Sequence, residues 1–222
     1  MKREITLTKD GSHTLYVENW NESYHSHHGA LQESLHVFIE NGLNHFAHLK
    51  EVSILEYGLG TALNAFLTAN RAIEKKQKIH YFAMEKFPLE KQEYELLNYN
   101  QIPSAKPDLF QSIHKAAWNQ KQCIDLFFDL YKFESDFSEV LNLDIPKVDL
   151  IYFDVFGPRV QPEYWNKESL TMAFDMLKPG GRFTTYCCKG SVKRDMMEIG
   201  FEVEKRPGAP GKREMLHGRK PL

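Results

Sequence analysis

The sequence predicts an α/β fold: a doubly wound, mostly parallel sheet of seven strands that ends in an antiparallel hairpin. Short apolar runs alternate with helical periodicity along most of the chain, and Gly and Pro fall between them as punctuation rather than in linkers or repeats. Near the end, two strand-like stretches follow one another with no helix between them.

Taken in order, residues 1–50 read as a cover over the site. They hold strand-like segments at 4–8 and 14–17, then the polar run Tyr24-His25-Ser26-His27-His28-Gly29-Ala30. An amphipathic stretch at 31–42 follows, with His36, Val37 and Phe38 on a helix. Residues 51–222 read as the main body of one structural domain. Its first buried strand, 52–57, runs into Gly58-Leu59-Gly60 and a helix from about Thr61 to Lys75. Strands follow at 79–84, 124–128, 148–153 and 182–187, separated by helical patterns at 88–99, 134–142, 163–177 and 191–199. Segments 201–205 and 213–217, joined by a loop rich in Pro and Gly, form the closing hairpin.

With 222 residues, 42% of them hydrophobic, the chain suffices for one well-buried domain and leaves no room for a second of full size. No run approaches the roughly 18 apolar residues of a membrane span, and Met1-Lys2-Arg3-Glu4 lacks a signal peptide's apolar core, so a cytoplasmic protein without membrane contact is expected. Cys123, Cys187 and Cys188 form no CxxC pair and are expected as buried reduced thiols. Seven of the ten histidines fall within the first 48 residues, but no HxxxH pair is accompanied by Cys or a carboxylate ligand set, so no metal is expected. The formal charge is −2, yet residues 178–222 hold eleven Lys and Arg against five Asp and Glu. A basic tail on an acidic body suits an anionic macromolecule, although such a surplus is commonly no more than a solvated face.

Glu56-Tyr57-Gly58-Leu59-Gly60 sets an acid and two glycines at the first strand's exit. A dinucleotide fingerprint would require Gly where Leu63 stands and has no use for Glu56, so NAD is disfavoured. Glu85 ends the second strand, twenty-five positions beyond Gly60, where a carboxylate accepts from ribose hydroxyls. Asp129, behind Phe127 and Phe128, is the candidate for an adenine amino group, with a helix cap as the alternative. Asp154-Val155-Phe156-Gly157-Pro158 leaves the fourth strand beside the first, at the topological switch point, so Asp154 is expected to face the reacting atoms. Taken singly, the glycine turn reads equally well as a plain strand-to-helix turn and Glu85 as a surface acid; together they favour a ligand.

The glycine turn resembles motif I of class I S-adenosylmethionine methyltransferases, whose Rossmann-like sheet also closes with a hairpin. Asp154 with Phe156 and Pro158 resembles the amino-methyltransferase pattern in which the acid holds the amine and the aromatic packs on it. More specifically, several segments resemble the methyltransferase half of the bifunctional tRNA 5-methylaminomethyl-2-thiouridine biosynthesis proteins. These are residues 24–38 around Gly29-Ala30-Leu31-Gln32-Glu33-Ser34, residues 56–64, Met84-Glu85-Lys86-Phe87-Pro88-Leu89, and residues 154–158 with Gln161-Pro162 and Trp165. Lys212-Arg213-Glu214-Met215-Leu216 completes the set.

This resemblance implies methyl transfer from S-adenosylmethionine to the exocyclic amine of 5-aminomethyl-(2-thio)uridine at the tRNA wobble position. Asp154 and Phe156 are then the catalytic pair. Tyr24, Glu56, Gly58, Gly60, Asn64, Glu85, Lys86 and Asp129 form the cofactor site. Glu33 and Pro158 face the acceptor, while Lys205, Arg206, Lys212 and Arg213 contact tRNA. Ala62 stands where the family has Gly and is expected to be tolerated by a negative φ. The chain stops at Leu222, so no FAD is expected, and any flavin oxidase step would belong to a separate protein. Two rivals stay open: methyl or aminopropyl transfer to a small-molecule or protein amine, and a non-catalytic RNA-binding protein with a vestigial cofactor site.

Overall fold

The computed structural model of the chain describes residues 1–102, 105–106 and 108–222. In chain order the strands are β1 (Arg3–Leu7), β2 (His13–Val17), β3 (Glu22–Ser23), β4 (Glu51–Tyr57), β5 (Lys78–Glu85), β6 (Lys121–Asp125), β7 (Phe128–Glu134), β8 (Val148–Phe153), β9 (Leu177–Thr185), β10 (Glu202–Pro207) and β11 (Glu214–Arg219). The α-helices are α1 (Ala30–Ser34), α2 (Leu63–Lys75), α3 (Lys91–Tyr94), α4 (Leu109–Lys115), α5 (Lys167–Met176) and α6 (Gly190–Ile199). Among the described residues, β1–β3 form a small antiparallel sheet and the other eight strands form the main sheet, in the order β10-β11-β9-β8-β4-β5-β7-β6. Strands β9, β8, β4, β5 and β7 run parallel, and the hairpin β10–β11 pairs antiparallel with β9.

The eighth strand, β6, corrects the expected seven. Residues 124–128 are not one parallel strand: β6 ends at Asp125, the chain turns, and β7 begins at Phe128, antiparallel to β6 and parallel to β5. Charges inside β7 hide it from an apolar-run reading. Asp129 is compensated by Lys78, Lys121 and His80. Lys132, 1% exposed, donates to the carbonyls of Ile113 and His114 at the end of α4, with its ammonium 4.5 Å from the Trp118 ring centroid. A buried charge persists only with such partners. The helical patterns at 88–99 and 134–142 shrink to the four-residue α3 and a 3-10 turn at Phe137–Asn142, while α4 was unforeseen.

The sheet is covered on both faces. Leu63, Phe66 and Ala69 of α2, Phe110 of α4 and Val37 and Phe38 of the cover pack with Ile54, Ile79, Tyr81 and Tyr152. Leu170 and Ala173 of α5 and Val192 and Met196 of α6 pack in a second cluster with Leu55, Ile151 and Phe183. Burial of each large apolar side chain favours folding by about 1.5–3 kcal/mol. Residues 1–50 therefore share the core as well as overlying the site, and α1 continues as a π-helical turn, Leu35–Glu40. Of the three cysteines expected to be buried, Cys187 is, whereas Cys123 and Cys188 are exposed. Among the described residues no helix is long and apolar enough to cross a membrane.

Candidate active site

Strands β8, β4 and β5 are neighbours, and their carboxyl ends deliver residues 154–157, 58–61 and 85–87 to the wall of one cavity of about 400 Å³. This is the switch point, where the chain moves from β4 to β5 on one side and later returns to β8 on the other. Its size falls within the ordinary range for small-ligand pockets.

The turn after β4 is conformationally demanding. Gly58 has φ +90°, and a Cβ there would lie 2.7 Å from the Asp154 carbonyl oxygen, so the exits of β4 and β8 touch backbone to backbone. Gly60 has φ +50°, and a Cβ there would meet the Tyr24 ring at 2.9 Å. Ala62 also turns left-handed, at φ 59°, which overturns the negative φ expected of it. Its N–H donates to Leu59 O and its carbonyl accepts from Phe66 N, so this conformation is imposed by closing the turn and starting α2. An L-residue there costs about 1–2 kcal/mol.

At the end of β5, Glu85 accepts from the Gly60 N–H at 2.9 Å and the Phe87 N–H at 2.8 Å. Burial raises its pKa against the pull of these donors. The cover closes this side. Arg3 donates to the Tyr24 hydroxyl at 2.9 Å, forms an ion pair with Glu93 and donates to the Phe87 carbonyl, clamping the Tyr24 ring. Phe156 packs edge-on against Trp20 and Tyr24, each at 4.9 Å between centroids.

Asp154 lies on the same wall. Asn64 Nδ2 donates to Asp154 Oδ2 at 2.8 Å and to Glu56 Oε1 at 3.0 Å. Burial and the nearby Glu33 push Asp154 up to about 7, against the Asn64 hydrogen bond and Lys212. Glu56 is fully buried, and burial raises its pKa well above the usual carboxylate range. Glu33 accepts from the Ser26 N–H at 2.8 Å and from Lys212 Nζ at 2.6 Å, and Lys212 lies 4.0 Å from the Tyr186 ring centroid.

Tyr24, Gly58, Gly60, Asn64, Glu85, Lys86, Asp154, Phe156 and Glu33 thus line one cavity, and Lys212 lines it with them. Four expectations change. Asp129 sits at the opposite end of the sheet, opposite His80 near the start of β5, because β7 begins at Phe128. Glu56 lies below the cavity rather than on its wall and reaches it through Asn64. Lys212 spends its charge inside the cavity on Glu33 instead of presenting it to phosphate. Pro158 is not on the cavity wall, although Gly157 and Gln161 of the same loop are.

Lys205, Arg206 and Arg213 are outside the cavity, with Lys205 paired to Glu214 and Arg206 to Glu204. His25 is buried between Thr14 and Thr61, and burial lowers it to about 4, so it is neutral. Among the described residues no three His, Cys, Asp or Glu side chains cluster as a metal site. Sequence reasoning missed Trp20, Phe137, Gln161 and Tyr186 on the wall, and Arg3 behind it. Tyr186 follows β9, next to β8, so its position at that strand's exit was the available signal.

Residues 103–221 match the model of a family described as S-adenosyl-L-methionine-dependent methyltransferase. The chain is similar to the tRNA 5-methylaminomethyl-2-thiouridine biosynthesis bifunctional protein MnmC of Actinobacillus pleuropneumoniae serotype 5b (strain L20), at 28% identity over 239 residues, covering 97% of this chain and 35% of that protein. It is 31% identical over 223 residues to the protein of the same name from Leptospira interrogans serogroup Icterohaemorrhagiae serovar copenhageni (strain Fiocruz L1-130), covering 96% of this chain. The chain thus spans 34–35% of the length of these two relatives. The crystal structure of MNMC2 from Aquifex aeolicus shares the fold, with a TM-score of 0.85 at 23% identity over 100% of this chain and 72% of that one.

Proposed function

The chain belongs to the S-adenosyl-L-methionine-dependent methyltransferase family, and from that premise we propose that it methylates the aminomethyl nitrogen of 5-aminomethyl-(2-thio)uridine at the tRNA wobble position. The observation that carries this reading is Asp154, a carboxylate held by Asn64 at the β8 exit and raised to about 7 by burial and Glu33. The acceptor follows from the relatives' name, which is that of tRNA 5-methylaminomethyl-2-thiouridine biosynthesis proteins.

The wall fits the proposed donor. Glu85 is aimed at the site by two backbone N–H groups and keeps lone pairs for the ribose hydroxyls. The left-handed glycine turn lets its backbone lie along the methionine part. Asn64 Oδ1 is buried without a partner and is an acceptor for an ammonium N–H. S-adenosylmethionine, when bound, supplies a methyl group on a sulfonium sulfur, and the Phe156 ring offers a cation–π contact of about 0.5–2 kcal/mol.

For the acceptor, Asp154 has two tasks. It binds the incoming ammonium by charge, and it takes the proton that must leave before the nitrogen lone pair is free. An ordinary alkyl ammonium and an ordinary Asp differ by about 6 pKa units, which makes that transfer prohibitive. At about 7, Asp154 narrows the gap to about 3 units, worth about 4 kcal/mol. Burial of the ammonium narrows it further. Holding the nitrogen in line with the methyl contributes the remaining advantage of proximity.

The test is to incubate the protein with labelled S-adenosylmethionine and bulk tRNA from a strain blocked at the aminomethyl stage, then identify the labelled nucleoside. Label in 5-methylaminomethyl-(2-thio)uridine establishes the reaction. Measurable cofactor binding with unlabelled tRNA would redirect the search to small amines.

A further inference from the structure

A primary ammonium is already seated in the cavity, and it belongs to the protein. Lys212 Nζ lies 2.6 Å from Glu33 Oε1 and 4.0 Å from the Tyr186 ring centroid. A carboxylate on one side and an aromatic face nearby are what a bound alkyl ammonium requires. Both groups are fixed independently of Lys212. Glu33, 7% exposed, is anchored through its other oxygen by the Ser26 N–H at 2.8 Å, and the Tyr186 hydroxyl donates to the Val155 carbonyl at 2.8 Å, next to Asp154. The occupant differs from its walls. Its backbone is tied down by a hydrogen bond to Ala209 O, but its ammonium rides on a flexible four-carbon stem, and its side chain is 33% exposed.

We propose that Glu33 and the face of Tyr186 form the subsite that captures the acceptor's ammonium, and that Lys212 fills this subsite until the acceptor displaces it. The inference rests on the amine-methylation reading above and adds how the amine is selected. With Lys212 swung out to water, the incoming ammonium finds Glu33 and Asp154 on one cavity wall, where a neutral hydroxyl gains little. An acceptor carrying a carboxylate beside its amine is repelled by both acids. Lys212 also keeps Glu33 from standing as an unpaired buried charge between turnovers.

The experiment uses Lys212→Met, which keeps most of the stem and removes the charge, with Glu33→Gln as the converse. Methylammonium chloride is titrated calorimetrically into each protein at constant ionic strength, and acceptor KM is measured on aminomethyl-bearing tRNA. Lys212→Met is expected to bind methylammonium at least about tenfold more tightly than the unsubstituted protein and to show an acceptor KM about tenfold lower. Glu33→Gln is expected to raise that KM by about tenfold, with S-adenosylmethionine affinity within about twofold in both variants. Unchanged methylammonium binding in Lys212→Met, or a raised acceptor KM in that variant, would overturn the subsite and leave the pair as a structural latch or a phosphate contact. If the unsubstituted protein binds cofactor yet methylates no aminomethyl tRNA, the functional reading itself fails. If it methylates tRNA and Lys212→Met behaves like it, only the subsite fails.

Discussion

The side-chain amide of Asn64 donates to the carboxylate of Asp154 across 2.8 Å, although ninety positions separate them in the chain. The same nitrogen donates to Glu56, so both of its hydrogens are committed. Asn64 stands in the first turn of α2, and Asp154 follows β8. The pair fastens the two strand exits that Gly58 brings into backbone contact.

Removing that amide should disturb aim more than fold. Asn64→Ala deletes a hydrogen bond to a charged group, worth about 1.5–3 kcal/mol, and is expected to lower kcat by about 10- to 100-fold. The hydrogen bond lowers the Asp154 pKa, so its loss should also move the acidic limb of the pH–rate profile upward. A profile measured on the variant that keeps its acidic limb in place would show that Asn64 does not act through Asp154.

Asp154 gives a pH dependence with an uncommon sign for a carboxylate. Its pKa in the fold, about 7, lies above the ordinary aspartate value of 3.8. The folded state therefore holds more protons than the unfolded state between about pH 4 and 7, and stability falls as pH rises through that window. Below it the stabilising contribution is fully present. Activity runs the other way, because the proposed reaction requires the ionised form, so kcat/KM should rise with pH through about 7. Denaturant melts should show Asp154→Asn flattening the stability curve over the same window, with methyl transfer lost and cofactor affinity kept.

The two buried acids should separate cleanly. Glu56 lies below the cavity wall and meets it only through Asn64, so Glu56→Gln should leave cofactor Kd within about threefold, at a stability cost of about 1–3 kcal/mol for an imperfectly paired amide. Glu85 faces the cavity between two N–H donors. Glu85→Gln should weaken S-adenosylmethionine by about 10- to 100-fold while transfer at saturating cofactor persists. Calorimetric titration of both variants checks this, and equal losses would place Glu56 on the cofactor after all.

These contrasts also mark what the sequence could carry. Strands 52–57, 79–84 and 148–153 were legible because buried parallel strands read as continuous apolar runs, and the residues at their exits followed. Asp129 failed for the same reason. The strand that contains it carries Lys132 and its own charge, each satisfied by partners on other elements, and no local pattern announces such partners. Glu56 was found as a motif residue but misplaced by one layer, since spacing fixes a strand position and not which side chains interpose. Trp20 and Arg3 reach the site from the cover's tertiary packing, which has no period to read.

The glycine turn offers a graded test. A Cβ at Gly58 would strike the Asp154 carbonyl, backbone that cannot give without moving the loop that follows β8, whereas one at Gly60 would strike the Tyr24 ring, which can shift. Both also carry the left-handed cost of about 1–2 kcal/mol. Gly58→Ala should therefore be the more destabilising in urea melts and should abolish transfer. Gly60→Ala should fold and lose mainly cofactor affinity.

Arg3 makes the most exacting test of the cover. Its guanidinium, with a side chain 5% exposed, serves Tyr24, Glu93 and the Phe87 carbonyl at once, tying β1 to the cavity wall and to the chain beyond β5. Arg3→Ala unclamps the Tyr24 ring that closes over Gly60, so cofactor Kd should rise by about tenfold, the loss expected for one charged hydrogen bond at the low end of its range. Because Arg3 touches no acceptor-side group, kcat at saturating cofactor should hold. Arg3→Lys offers a point charge in place of a planar fork and satisfies one partner rather than three, so it should recover part of the affinity and not all. If kcat falls as much as cofactor affinity in Arg3→Ala, the clamp aims the acceptor as well, and the cover is part of the catalytic geometry rather than its lid.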